Sequence, residues 1–142
     1  MLKLILADDE EMIRESIRAL IDWNSIGVEV VASCKNGPET LQAILTLHPD
    51  IVMTDIKMPG MSGLDLIAEV YNRKDLMTEF ILLSGYADFE YAKQAITYRV
   101  SNYLLKPCNE NQIIEAVKKA SAEIRKRKKI KELIPDTALT DV

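Results

Sequence analysis

The chain has 142 residues, 48% of them hydrophobic and 28% charged, a composition typical of one soluble globular domain. No apolar run reaches about eighteen residues, so no transmembrane helix is predicted, and the N-terminus is too acidic for a signal peptide. The net charge is −4, but the segment from Lys118 to Lys131 carries +7, so the rest of the chain carries −11. This acidic remainder is a poor candidate for direct binding to nucleic acid, which depends on cationic contacts to phosphate.

Five short apolar runs predict five β-strands. Several of the runs are continuous rather than alternating, as expected of strands that are covered on both faces. The predicted strands are Leu2–Ala7, Val28–Ser33, Asp50–Asp55, Phe80–Ser84 and Asn102–Lys106.

Segments with helical spacing of apolar residues follow each predicted strand. Their stripes are Met12, Ile13, Ile17, Leu20 and Ile21; Leu41, Ile44, Leu45 and His48; Leu64, Ile67, Ala68 and Tyr71; Phe89, Ala92, Lys93 and Ile96; and Ile113, Val117, Ala120 and Ile124. Asp8 or Asp9 is the candidate N-cap of the first helix and Ser62 that of the third. The alternation predicts an α/β fold, a doubly wound parallel sheet with helices on both faces.

The C-terminal part of the chain is predicted to be an extension of this domain. The fifth helix is expected to continue through the basic segment towards Leu133 and Ile134, and the residues after it form a frayed tail or the start of a linker. The basic segment is interpreted as a solvated helix face or linker, with polyanion binding as the alternative. We therefore place a domain at residues 1–124 and a basic helical extension at 125–142.

The cysteines indicate a reducing compartment, and neither the cysteines nor the histidine indicates a metal site. Cys34 and Cys108 are far apart and lack metal-ligand spacing, so they are predicted to be free thiols of a cytoplasmic protein. His48 has no companion histidine and is predicted to be a surface residue.

Polar side chains follow four of the five predicted strands. The first strand ends in Asp8 and Asp9, the third in Asp55, the fourth in Ser84 and the fifth in Lys106. Ligands of an open parallel sheet bind beyond the carboxyl ends of its strands, so we expect these side chains to converge on one cleft.

The chemistry of this set favours phosphoryl transfer. Clustered carboxylates repel one another, and Mg²⁺ with oxygen ligands relieves that repulsion. Asp55 is then interpreted as a nucleophile that accepts a phosphoryl group, with Lys106 and Ser84 holding its oxygens. Each residue alone has an ordinary alternative, such as a helix cap, a turn or a solvated strand end. The joint pattern makes that alternative improbable.

Four stretches resemble the receiver domain of two-component response regulators: LADDEE, DIVMTDIKMPGMSGLDLI, ILLSGYADFEYAKQAI and NYLLKP. The resemblance covers about residues 2–124 and implies a flavodoxin-like strand order 2-1-3-4-5. Receivers joined to AraC-type helix-turn-helix output domains are the most similar. DNA binding would then belong to an output domain that these residues do not include. A stand-alone receiver is the alternative.

The resemblance also implies a role for each site residue. Asp55 would be the phospho-acceptor, Asp9 a direct Mg²⁺ ligand, Asp8 a second-sphere or water-mediated ligand, and Lys57 a ligand through its backbone carbonyl. Ser84 and Tyr103 would be the switch residues, Lys106 the phosphate contact and Lys106-Pro107 a cis peptide. Pro59 and Gly60 turn the chain away from the cleft.

The implied partner is a sensor histidine kinase, and phosphorylation would remodel the face of the fourth helix and fifth strand to control transcription. The family often dimerises through that face. Such a domain is a signalling module whose only catalysis is its own phosphorylation and dephosphorylation. Two other functions are alternatives: a hydrolase of the haloacid dehalogenase type, and a degenerate receiver that binds partners without phosphorylation. The first needs an acid where Lys57 stands, and the complete acidic, hydroxyl and lysine set disfavours the second.

Overall fold

The computed structural model describes residues 1–73, 76–85 and 100–133, with side chains described as far as residue 130. Five parallel strands form one sheet in the order β2-β1-β3-β4-β5. The strands are β1 (Leu2–Ala7), β2 (Val28–Cys34), β3 (Ile51–Asp55), β4 (Glu79–Ser84) and β5 (Val100–Leu105). The predicted fold class and strand order are therefore confirmed.

Four described α-helices pack on this sheet: α1 (Glu11–Leu20), α2 (Gly37–Leu47), α3 (Gly63–Tyr71) and the C-terminal helix (Glu110–Leu133). A short 3₁₀ turn, Trp23–Ile26, precedes β2. The predicted fourth helix, with Phe89 and Ile96, and the predicted tail at 135–142 lie outside the described residues. None of the described helices is long and apolar enough to cross a membrane.

The three central strands, β1, β3 and β4, are buried on both faces, apart from Lys3 of β1, which explains why they are continuous apolar runs. On one face, Leu4, Met53, Ile81 and Leu83 pack with the C-terminal helix, whose predicted stripe Ile113, Val117, Ala120 and Ile124 is entirely buried. On the other face, Ile5, Val52 and Leu82 pack with residues of α2 and α3 such as Ile44 and Ile67. Core packing on both sides fixes the ends of β1, β3 and β4 relative to one another.

The stripes of two other helices differ from the prediction. Met12 is 82% exposed, no residue of α1 is fully buried, and Ile21, which follows α1, is the buried member of its stripe. In α3, Tyr71 is exposed, whereas Leu66 and Val70 join Ile67 in the core. Periodicity locates a helix, but the side of the helix that is covered depends on the neighbouring elements.

The helix starts give one correct and one wrong prediction. Ser62 accepts a hydrogen bond from the Asp65 amide and forms a full capping box with the Asp65 side chain, as its predicted capping role requires. The residue preceding α1 is Glu10, which makes no side-chain cap, so neither Asp8 nor Asp9 is the N-cap. Asp8 instead accepts a hydrogen bond from the Glu10 amide at 2.9 Å and turns its other oxygen towards Lys106.

Gly63 allows α3 to begin directly against β3. The Gly63 amide donates to the Ile56 carbonyl at 2.7 Å, and a Cβ atom placed on Gly63 would lie 2.3 Å from the Asp55 carbonyl oxygen. Only a residue without a side chain fits so close to the backbone that carries Asp55.

Gly63→Ala is therefore expected to lower the free energy of unfolding by about 1–3 kcal/mol, although alanine is the better helix former. Urea unfolding measures the loss. Glu69→Ala, an exposed change in the same helix, is the control and is expected to stay within about 0.5 kcal/mol of wild type. A Gly63→Ala protein as stable as wild type would show that α3 can move away without cost.

Candidate functional site

The polar residues predicted to converge do meet at the carboxyl edge of the sheet. Asp8 directly follows β1, Asp55 ends β3, Ser84 ends β4, and Lys106 directly follows β5. The Lys106 ammonium lies 2.7 Å from Asp8 Oδ2 and 3.1 Å from Asp55 Oδ2. One cation from the end of β5 therefore bridges two carboxylates from the ends of β1 and β3.

Burial makes this arrangement electrostatically demanding. Asp8 is 2% exposed and Asp55 is 7% exposed. Burial raises the pKa of Asp55, the Lys106 ammonium opposes that rise, and the neighbouring Asp8 carboxylate adds to it. Burial alone would lower the pKa of Lys106, but its hydrogen bond to Asp8 and the charge of Asp55 outweigh burial and raise that pKa. Lys106 is thus held in its charged form.

Asp55 is fixed in direction as well as in position. All five residues of β3 are buried, and the Ile56 amide donates to Asp55 Oδ1 at 2.8 Å. After Ile56 the chain leaves the sheet through Lys57, whose side chain is exposed, and Pro59. Gly60 has φ +80°, a left-handed conformation that glycine adopts without strain. The loop therefore turns away and leaves the Asp55 carboxylate at the rim.

The Ser84 hydroxyl is in contact with Tyr103. Ser84 is completely buried at the end of β4, and its Oγ donates to the Tyr103 hydroxyl at 3.0 Å. Tyr103 is half-buried on β5, paired in register with Leu82, and packs against the core on the α2 and α3 side. The two side chains assigned by resemblance to the switch are thus hydrogen-bonded partners on adjacent strands.

The backbone at Lys106 includes a cis peptide bond and a hydrogen bond to β4. The Lys106-Pro107 peptide is cis, and the Lys106 amide donates to the Ser84 carbonyl at 2.8 Å. Cys108 follows, and both it and Cys34 are free cysteines, as predicted. Burial raises the pKa of each thiol. His48 is exposed at the end of α2, also as predicted.

The acidic residues after β1 form a donor set that suits a small hard cation. Carboxylate oxygens of Asp8, Asp9 and Glu10 lie within 4.8 Å of one another, and Asp9 and Glu10 are exposed. Mg²⁺ prefers a few carboxylate oxygens and retains several waters, so a half-open group of this kind fits it. Asp8 belongs both to this group and to the ion pair with Lys106.

Two residues at this edge were missed by sequence reasoning. Glu10 was not considered as an oxygen donor, although it directly follows the acidic pair. Arg14 donates to the Asp8 carbonyl at 2.6 Å and to Ser33 Oγ at 2.9 Å, so it ties β1, β2 and α1 together. Only the order of the strands brings Ser33 near Arg14, and the linear sequence carries no strong signal for that contact.

Comparisons with known proteins agree with this geometry. The family model of the response regulator receiver domain matches residues 4–118. The uncharacterized transcriptional regulatory protein YesN of Bacillus subtilis is 45% identical over 127 residues, which are 89% of this chain and 34% of YesN. The transcriptional regulatory protein HptR of Staphylococcus aureus is 38% identical over 113 residues, 80% of this chain and 44% of HptR. The chain thus spans less than half the length of these curated relatives.

Solved structures give the same result. The REC domain of AraT, a response regulator from Geobacillus stearothermophilus, is 37% identical, with a TM-score of 0.83 over 89% of this chain and 98% of that one. A two component transcriptional regulator AraC from Clostridium phytofermentans is 28% identical, with a TM-score of 0.82 over 90% of this chain and 98% of that one. The chain therefore belongs to the receiver domain family of response regulators.

Proposed function

We propose that this domain accepts a phosphoryl group on Asp55 from a phosphohistidine of a sensor histidine kinase, with Mg²⁺ as cofactor, and thereby controls an output. The observation that carries the proposal is the Lys106 ammonium held between the buried Asp8 and Asp55 carboxylates. Two buried carboxylates and one ammonium leave the cleft with a net negative charge, so an incoming phosphoryl group needs further positive charge, which Mg²⁺ would supply beside a nucleophile that is already positioned.

The transfer is a displacement at phosphorus. An Asp55 carboxylate oxygen forms the new P–O bond, the P–N bond to the kinase histidine breaks, and the leaving imidazole takes its proton from solvent. The Ile56 amide holds the carboxylate in a fixed direction, which favours an in-line approach. Lys106 binds a phosphoryl oxygen, and the Ser84 hydroxyl can turn from Tyr103 to another.

The cofactor would be held by Asp8, Asp9 and Asp55, with the Lys57 carbonyl completing the protein ligands. When bound, Mg²⁺ supplies positive charge to the oxygens of the transferring group. Glu10 adds a further donor through its place beside Asp8 and Asp9.

The signal would be a population shift at the Ser84–Tyr103 pair. When Ser84 binds phosphoryl, its hydrogen bond to Tyr103 is lost, and Tyr103 and β5 can take a second position. The face that would change, and on which the family often dimerises, combines β5 with the fourth predicted helix, which lies outside the described residues. The names of the relatives support transcription as the output. In this proposal, DNA binding belongs to a domain beyond the residues compared, and the protein acts in the cytoplasm.

The two alternatives lose support for different reasons. A haloacid dehalogenase-type hydrolase needs a second acid two residues after the nucleophile, and that position is Lys57, an exposed cation. A degenerate receiver would have lost part of the acidic or lysine set, whereas here Lys106 contacts both Asp8 and Asp55.

Acetyl phosphate provides a test that needs no kinase. Incubation with acetyl phosphate and Mg²⁺ is expected to add one phosphoryl group per chain, seen in the intact mass, with release of acetate. Reduction by borohydride followed by peptide mapping is expected to locate it at Asp55. Absence of the added mass, or a phosphoryl group on another residue, would overturn the proposal.

A further inference from the structure

The C-terminal helix is attached to the sheet at a second place, far from the Asp55 site. Beyond Ile124, the last buried residue of its stripe, Arg127 pairs with Glu79 and Lys128 lies 3.3 Å from Asp50. Glu79 begins β4 and Asp50 immediately precedes β3, so both acids lie at the N-terminal edge of the sheet. The basic segment, interpreted from sequence as a solvated face or linker, therefore docks on its own domain.

The two ion pairs are not equivalent. The Glu79 side chain is 3% exposed and that of Arg127 is 27% exposed, whereas the Lys128 side chain is 60% exposed. An exposed ion pair contributes little to stability. A buried acid, in contrast, requires a partner for its charge and thereby fixes the position of that partner. Of the two basic residues, Arg127 is thus the one that more strongly fixes the position of this part of the helix.

Glu79 is also bonded to β5. Ser101 Oγ donates to Glu79 Oε2. Phe80 pairs with Val100 but Ile81 pairs with Asn102, so Ser101 is the extra residue of a β-bulge. A bulge re-aims a side chain, and here the Ser101 hydroxyl meets the buried acid. We call Glu79, Ser101 and Arg127 the edge latch.

The edge latch and the switch pair lie on the same two strands. β4 carries Glu79 at its start and Ser84 at its end, and β5 carries Ser101 two residues before Tyr103. A displacement of β5 at Tyr103 would therefore act on the Ser101–Glu79 hydrogen bond. Because a buried acid tolerates few arrangements of its partners, such a shift changes how firmly Arg127 is held.

We propose that the edge latch couples the Asp55 site to the C-terminal helix: occupation of the site loosens the latch and frees residues 125–133. The coupling rests on the proposed function, since it needs an occupied Asp55 site. In this proposal, the basic segment binds its own domain and is released when the Asp55 site is occupied. Occupation of the Asp55 site shifts the latch equilibrium towards the open form by some factor. By reciprocity, the open latch binds a phosphoryl mimic more tightly than the closed latch by that same factor.

Hydrogen exchange read by mass spectrometry tests the latch in the full chain. Without a mimic, peptides covering 125–133 are expected to exchange about tenfold faster in Arg127→Met than in wild type, while peptides covering 113–121 do not change. Lys126→Met, an exposed change on the same helix, is the matched control and is expected to behave as wild type. Equal exchange in Arg127→Met and wild type would overturn the latch.

Beryllium fluoride with Mg²⁺, a mimic of the phosphoryl group, tests the coupling. Binding is expected to accelerate exchange at 125–133 in wild type about fivefold or more. Ser101→Ala keeps the Glu79–Arg127 pair but removes the contact to β5, so this acceleration is expected to disappear. If Arg127→Met does not fold, Ser101→Ala alone tests the coupling. A wild-type response in Ser101→Ala overturns the coupling.

Calorimetry separates the two levels of inference. Arg127→Met is expected to bind beryllium fluoride more tightly than wild type, by no more than the factor by which the mimic accelerates exchange at 125–133 in wild type. If wild type binds the mimic but exchange at 125–133 does not change, the coupling fails and the proposed function stands. If wild type does not bind the mimic at all, the proposed function itself fails and the coupling with it.

Discussion

Replacing Asp55 with asparagine is expected to abolish phosphoryl transfer from acetyl phosphate and the binding of beryllium fluoride. The amide has nearly the shape of the carboxylate but is no nucleophile, and the neighbouring Asp8–Lys106 ion pair remains to hold the site together. Intact-mass spectra after incubation with acetyl phosphate and Mg²⁺ measure the loss. Asp22→Asn, an exposed change away from the sheet edge, is the control and is expected to accept phosphoryl as wild type does. Phosphorylation of the Asp55→Asn protein would remove Asp55 from its proposed role.

The same substitution is expected to stabilise the domain at neutral pH when divalent metal is removed with EDTA. Burial raises the pKa of Asp55 above its ordinary value, so ionising this group costs the folded state more than the unfolded state. The stability associated with protonated Asp55 is present at acid pH below the unfolded pKa and is lost as the pH rises through the raised pKa. Asparagine does not ionise and avoids this loss.

Urea unfolding of both proteins across that pH range, in EDTA, measures the difference. It is expected to grow with rising pH, in favour of Asp55→Asn, and to shrink when Mg²⁺ is added to wild type. A wild-type protein that gains stability over Asp55→Asn as the pH rises would contradict the direction of the pKa shift.

Lys106→Met is expected to cost the metal-free domain about 3 kcal/mol at neutral pH, because removing one partner of a buried ion pair leaves uncompensated charge. Here one ammonium serves both Asp8 and Asp55, whose side chains are 2% and 10% exposed. Without it the two carboxylates repel each other in a poorly solvated cleft. Mg²⁺ is therefore expected to stabilise Lys106→Met more than it stabilises wild type.

Urea unfolding with and without MgCl₂ measures both effects. The control is Lys119→Met, which removes an exposed lysine from the C-terminal helix and is expected to change stability by about 0.5 kcal/mol or less. Phosphorylation by acetyl phosphate is also expected to slow in Lys106→Met, since a contact to the transferring group is lost. If Lys106→Met is as stable as Lys119→Met in EDTA, the bridging ion pair has no energetic role.

The sheet and its functional edge were predictable because both depend on local signals. Strands buried on both faces are continuous apolar runs, and β1 has the predicted bounds, Leu2–Ala7. The alternation of strands and helices requires parallel pairing, which places Asp8, Asp55, Ser84 and Lys106 at one edge. Their contacts follow from the fold class and the position of each residue at a strand end.

The predictions failed where the deciding partner is distant in sequence. β4 begins at Glu79, one residue before the predicted start, since a lone acid does not resemble a buried strand residue. Its partners, Ser101 and Arg127, lie 22 and 48 positions away. Asp8 was expected to cap a helix, but the Lys106 ammonium, 98 positions further along the chain, engages its carboxylate.

The sequence by itself determined the fold class, the strand order through family resemblance, and the identity of the residues at the carboxyl edge. Apolar periodicity and the residue type at a strand end depend only on residues a few positions apart, so both can be recognised from the sequence alone. The tertiary structure alone decided which charges pair: Lys106 with both acids of the cleft, and Arg127 with Glu79 at the opposite edge. Ion pairs act over a few ångströms in space, and only chain folding sets which distant residues come that close.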